Sequence, residues 1–235
     1  MIVIAIAAIV IIAAVLIGPA LVTLMGFRPA PSGQVADGLY TVKDKFVAVY
    51  VLRSNTSLIC FDAGNTPKGI TKGFRELGLD PDDVKAVFLT HSDRDHVNAL
   101  PVFKNATVYL PEKEEPLVTG AAKRHLMFIS RTNKLPVNKY TLIKDGEVVK
   151  LGETVIKAYL TPGHSLGSTS YLADGKYLAV GDLAITKKGR LIGMPKPPSE
   201  DPKMIKESLK IIEGIKGVEY VLTGHGGVLK RKGEP

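Results

Sequence analysis

Four of the five histidines in this 235-residue chain stand directly behind short apolar runs of strand type. They are His91, His96, His164 and His225, and Asp182 holds the same kind of place. The run Val84 to Leu89, apolar and β-branched, reads as a buried strand that ends at such a site. Strand ends along one edge of a sheet are where rigid scaffolds present ligands and catalytic groups. The pattern therefore demands a fold that gathers several distant strand ends at one edge. One histidine at a strand end is more often structural; four in matching contexts point to one site. His125, between Arg124 and Leu126, lacks the context and reads as structural or exposed.

The segment Thr90-His91-Ser92-Asp93-Arg94-Asp95-His96 is the most specific element. Alternate positions of an extended segment point the same way, so His91, Asp93 and Asp95 are expected to converge. His96 then turns off that line toward a second ion. Carboxylates this close repel unless a cation lies between them. The competing reading is a polar loop with surface ion pairs, and the buried strand that feeds the segment argues against it. Imidazole and carboxylate together suit zinc, iron or manganese. The single cysteine, Cys60, excludes a thiolate-rich zinc site and an internal disulfide. Within Leu58-Ile59-Cys60-Phe61 it reads as a small buried hydrophobe.

Hydrophobic residues make up 45% of the chain, enough for a sizeable core. Strands are read over Val35 to Asp44, Phe46 to Arg53 and Ser57 to Asp62, with turn residues at Asp37-Gly38 and Ser54-Asn55. A helix over Lys68 to Leu77 is stopped by Gly78. Ala106 to Leu110 is a further strand. Hairpins are expected at Val148 to Leu160 and at Ser168 to Val180. Met204 to Ile215 forms an amphipathic helix with Ile205, Leu209 and Ile212 on one face. Glu219 to Leu222 is a last strand. Thr119 to Tyr140 takes no clear assignment. The class is α/β, with much antiparallel sheet and helices outside it.

Met1 to Phe27 carries no charged residue. As a helix it would extend about 40 Å, more than the roughly 30 Å of a bilayer's hydrocarbon core. It reads as a single-pass membrane anchor or uncleaved signal, with a cleaved signal peptide as runner-up; no basic residue precedes the apolar run. Residues 28–34 read as a linker and 35–235 as the catalytic domain. Arg28, Lys43 and Lys45 lean slightly toward a cytoplasmic domain, and the side of the membrane stays open. The net charge of +8 is spread along the chain, with modest clusters at Lys187, Lys188, Arg190 and Lys196 and at Lys230 to Lys232. No aromatic residues interleave with these as a base-stacking platform, so the charge reads as a solvated surface and nucleic acid is not the expected partner.

These elements together resemble the metallo-β-lactamase-fold hydrolases, in the glyoxalase II-like and lactonase-like single-domain group. That family's His-x-His-x-Asp-His segment reads here as His91 to His96, with Asp93 in place of its second histidine. Thr161-Pro162-Gly163-His164, Val180-Gly181-Asp182 and Thr223-Gly224-His225-Gly226 match its later elements, and Phe61-Asp62-Ala63-Gly64 its early one. The resemblance spans about Val35 to Gly227. It implies a four-layer αββα sandwich holding two divalent ions, zinc first, with iron or manganese as alternatives. His91, Asp93 and His164 would hold the first ion, and Asp95, His96 and His225 the second. Asp182 would bridge them and Asp62 would support the ligand loops. A carboxylate at Asp93 is a harder ligand, which opens the identity and occupancy of the first site.

A hydroxide generated between two such ions would attack a small-molecule ester, thioester or lactone, with Asp95 orienting the nucleophile. The alternatives are a phosphodiesterase or ribonuclease of the same fold, and a non-enzymatic binding module that keeps the metal site.

Overall fold

The computed structural model describes residues 26–126, 129–196 and 198–231. Its first half lays down β1 (Gly33–Ala36), β2 (Leu39–Asp44), β3 (Val47–Ser54) and β4 (Ser57–Phe61), all antiparallel neighbours. Helix α1 (Pro67–Glu76) crosses to β5 (Val84–Phe88). Thr66 caps that helix by accepting a hydrogen bond from the Gly69 N–H, and Pro67 fills its first turn. The short helix α2 (Arg94–Val97), strand β6 (Thr107–Pro111) and helix α3 (Glu115–Thr119) follow. A hairpin of β7 (Arg124–Leu126) and β8 (Ile129–Arg131) precedes β9 (Thr141–Ile143). The seven-stranded sheet runs β1-β2-β3-β4-β5-β6-β9, parallel from β4 to β9.

The second half builds β10 (Val148–Leu151), β11 (Thr154–Leu160), β12 (Thr169–Ala173) and β13 (Tyr177–Gly181). A side hairpin of β14 (Ala184–Lys187) and β15 (Arg190–Gly193) leads to helix α4 (Pro202–Glu213), then β16 (Tyr220–Thr223) and β17 (Gly227–Lys230). The six-stranded sheet runs β10-β11-β12-β13-β16-β17, with β13 and β16 its one parallel pair.

Strand alternation sets the layers. In β3, Val49 and Val51 face Ile70 and Phe74 of α1, while Ala48 and Tyr50 face the other sheet. In β13, Leu178 and Val180 pack with Ile205 and Ile212 of α4, while Tyr177 and Ala179 face inward. A strand buried on both faces reads as continuous apolar sequence. The result is helix, sheet, sheet, helix. Cys60 lies fully buried among α1-side residues, and burial pushes its thiol up, so it serves as packing.

Three expectations change. The strand read as Val35 to Asp44 is broken at its own Asp37-Gly38 turn. The basic cluster at Lys187, Lys188 and Arg190 is the turn of the β14–β15 hairpin, which the sequence reading missed. The segment read as a linker is docked: Ala30 is buried, the Arg28 N–H donates to the His225 carbonyl at 2.6 Å, and β1 already starts at Gly33. Among the described residues no helix is long and apolar enough to cross a membrane. The expected anchor over Met1 to Phe27 falls, up to residue 25, outside the described residues.

Candidate metal centre

The two sheets meet along one edge, where the Ala48 N–H donates to the Gly224 carbonyl and the Gly224 N–H to the Gly181 carbonyl, each at 2.9 Å. Every histidine expected at the site arrives on this edge. His91 follows β5, His164 follows β11, Asp182 follows β13 and His225 follows β16. Two glycines permit the approach. A Cβ on Gly181, whose φ is +51°, would fall 2.3 Å from Thr90 Oγ1, and one on Gly224 would fall 2.6 Å from Asp182 Oδ1.

Ligand atoms gather into two clusters. His91, His164 and Asp182 form one, and Asp95, His96 and His225 the other, each within 4.8 Å. Asp182 lies between them: Oδ2 is 3.5 Å from His164 Nε2 and 3.0 Å from His225 Nε2, and Oδ1 is 3.3 Å from His96 Nε2. Asp95 Oδ2 is 3.6 Å from His96 Nε2 and 3.3 Å from His225 Nε2. The expected alternation stops at Asp93, because α2 begins at Arg94. Asp95 and His96 therefore ride a helical turn and reach the second cluster, while His91 stays with the first.

Three of the four rings are aimed by a bond to the far nitrogen, whereas His164 Nδ1 is buried without a partner. His91 Nδ1 lies 3.0 Å from Thr90 Oγ1, His96 Nδ1 2.7 Å from Asp62 Oδ2, and His225 Nδ1 2.5 Å from the Phe46 carbonyl. This leaves Nε2 facing inward, the usual arrangement behind a metal-binding histidine. Asp62 adopts a left-handed φ of +61° and also accepts from the Thr90 N–H and hydroxyl. His91 Nε2 and Asp182 Oδ1 are buried with no hydrogen-bond partner. Buried polar atoms without partners are costly. Inward-facing orphans among imidazoles and carboxylates are what a divalent cation would satisfy, so the donor set fits one.

Burial and neighbouring positive charge (His96, His164, Arg124) hold the His91 imidazole well below its usual range, and burial with Arg124 does the same to His164. Burial opposes protonation of His96 and His225 too. There the carboxylates outweigh it: Asp182, Asp62 and Asp95 raise His96, and Asp182 with Asp95 pushes His225 up to about 10.

Asp93 lies where the sequence expects it but carries a second partner. Its Oδ2 lies 3.8 Å from His91 Nε2 and 3.3 Å from His164 Nε2, near the first cluster, yet the same oxygen is held by Arg124 Nη1. Arg124 was not singled out from sequence, nor were Asn133, which donates to Asp93 Oδ1 at 3.1 Å, and Glu114. Buried Glu114 accepts from the Ser92 N–H at 2.7 Å and from the Ser92 and Ser165 hydroxyls, tying the His91 loop to the His164 loop. Burial raises its carboxyl. His125 is exposed, and Nδ1 lies 2.9 Å from Ser130 Oγ.

Comparison with known proteins agrees with this geometry. The family model for the metallo-β-lactamase superfamily matches residues 42–225. A probable metallo-hydrolase of Methanocaldococcus jannaschii is 34% identical over 69% of this chain and 67% of its own length. A hydroxyacylglutathione hydrolase of Buchnera aphidicola is 29% identical over 63% of this chain; the match spans 50% of that relative. A solved metallo-β-lactamase from Cronobacter sakazakii superposes with a TM-score of 0.67 at 23% identity, over 87% of this chain and 81% of that one, a likeness of fold. The chain belongs to the metallo-β-lactamase superfamily.

Proposed function

We propose that this superfamily member, a metal-dependent hydrolase, cleaves an ester, thioester or lactone of a small-molecule substrate. The observation that carries the reading is Asp182, set between two clusters whose histidine Nε2 atoms all face inward. Zinc suits the mixed imidazole and carboxylate donors, with iron or manganese as alternatives. His91, His164 and Asp182 would hold one ion and Asp95, His96 and His225 the other; when bound, such ions activate water and polarise a carbonyl oxygen. Thr90, Asp62 and the Phe46 carbonyl keep the His91, His96 and His225 rings aimed. Asp95, whose side chain is 22% exposed, is the ligand open to solvent. Burial opposes its ionisation, but His96 and His225 hold its carboxyl below the usual range. It is therefore ionised at neutral pH and can accept a proton or orient an incoming water.

The thioester arm draws on the likeness to hydroxyacylglutathione hydrolase over part of that relative. The test is a panel of thioesters, esters, lactones and a phosphodiester RNA against the zinc-loaded full chain. Acyl hydrolysis that disappears in folded His96→Ala and Asp182→Asn supports the proposal. Full activity in a folded, metal-free His96→Ala chain sinks the mechanism, and RNA cleavage without acyl hydrolysis replaces the substrate class.

The uncharged run Met1 to Phe27 supports a single-pass membrane anchor, on a side of the membrane still to be assigned. Alkaline carbonate extraction separates an anchored chain, which stays in the pellet, from one released to the supernatant.

A further inference from the structure

We infer that Arg124 makes the two clusters unequal, so that Asp95, His96 and His225 take the first divalent ion and His91 and His164 a second one more weakly. The inference deepens the metal-dependent reading above and rests on it.

The Arg124 side chain is fully buried on β7. Nη1 donates to Asp93 Oδ2, and Nη2 donates to the carbonyls of His164 at 2.7 Å and Pro198 at 3.1 Å. The other Asp93 oxygen receives the Asn133 amide at 3.1 Å and lies 3.5 Å from Arg131 Nη2. Both carboxylate oxygens are thus engaged by donors, and the charge is matched by a guanidinium that does not deprotonate at neutral pH. A carboxylate so engaged is a poorer cation ligand. It leaves the first cluster with two neutral imidazoles and a share of Asp182, while the second keeps Asp95 for itself. The fixed positive charge of Arg124 also sits one side chain away from any ion held by His164, and like charges repel more strongly out of water. The sequence shows Asp93 as a ligand position; only the fold shows that a cation already claims it.

The test is a cobalt(II) titration of the metal-free full chain, followed by calorimetry and by the visible absorption of the bound ion. The expected result is two steps separated by at least about tenfold in affinity. His225→Ala abolishes the tight step and keeps the weak one; His91→Ala does the reverse. Arg124→Met tightens the weak step until the two lie within about tenfold of each other. Should Arg124→Met fail to fold, the two histidine variants still decide the order of loading. Two equal steps in the unaltered chain, or loss of the weak step in folded Arg124→Met, overturns the inference. Absence of any bound cobalt overturns the metal-dependent reading itself, and the inference falls with it.

Discussion

The two halves of the centre share Asp182, yet the positive charge in each has a different source. Beside His91 and His164 the positive charge is permanent, carried by the buried Arg124 guanidinium, and both imidazoles are held neutral. Beside His96 and His225 it is titratable: Asp182, Asp62 and Asp95 keep protons on the rings themselves. One half therefore offers an incoming ion bare nitrogens next to a cation. The other offers nitrogens that must first release protons, next to carboxylates. Stronger attraction and a larger proton debt go together in the second half, and that contrast can be attacked from either side.

The largest effect expected is on pH. Zinc uptake at the second cluster displaces protons from His96 and His225, so apparent affinity should climb by about tenfold per pH unit for each proton released. Uptake at the first cluster should be nearly flat near neutrality. Calorimetry in buffers of different ionisation enthalpy counts the protons, and equal release by both steps would erase the contrast. The sign for the metal-free fold follows from the same shift. His225 has a folded pKa of about 10 against a reference of 6.5, so its contribution is complete below about pH 6.5 and lost as pH rises to about 10. A thermal-melting series from pH 6 to pH 10 should decline without zinc and stay level with it.

Next comes Asp62→Ala, which strips His96 of its aiming partner and leaves the Thr90 N–H unpaired. A loss of about 3–5 kcal/mol is expected in a denaturant midpoint. Tight-step metal binding should fail in whatever remains folded. Gly224→Ala pushes a methyl toward Asp182 Oδ1 at 2.6 Å and His96 Cε1 at 2.8 Å. The cost should be about 1–3 kcal/mol, with metal affinity falling more than stability. The smallest expected loss is Glu114→Gln, about 1 kcal/mol, because the amide oxygen still accepts from Ser92. It should weaken the first cluster and spare the second, and the reverse outcome would place the Ser92–Ser165 tie on the wrong half.

Much of this architecture was open to reading because strand ends carry their ligands in sequence. Val84 to Phe88 leading to His91, Tyr177 to Gly181 leading to Asp182, and Tyr220 to Thr223 leading to His225 are local patterns, and the fold only brings them to one edge. Of the two α2 ligands only Asp95 was misdirected by the alternation, since four helical residues after Asp93 carry too little apolar pattern to betray a helix; His96 turns toward the second cluster as expected. Arg124 was invisible for a different reason. It sits in a three-residue strand within the unassigned stretch from Thr119 to Tyr140, and its meaning lies in a contact 31 residues back in the chain. No local signature marks a cation that a distant carboxylate will bury.

The docked strap before β1 has a mechanical consequence. Phe27 stacks on the His225 ring with centroids 4.4 Å apart, and the Arg28 N–H grips the His225 carbonyl. Any load borne by the chain ahead of residue 27 therefore reaches a ligand directly, through one ring and one bond. A chain started at Gln34 would keep both sheets and lose that lever, and behind its inward-facing nitrogen the imidazole of His225 would then be steered by the Phe46 carbonyl and the Phe46 ring.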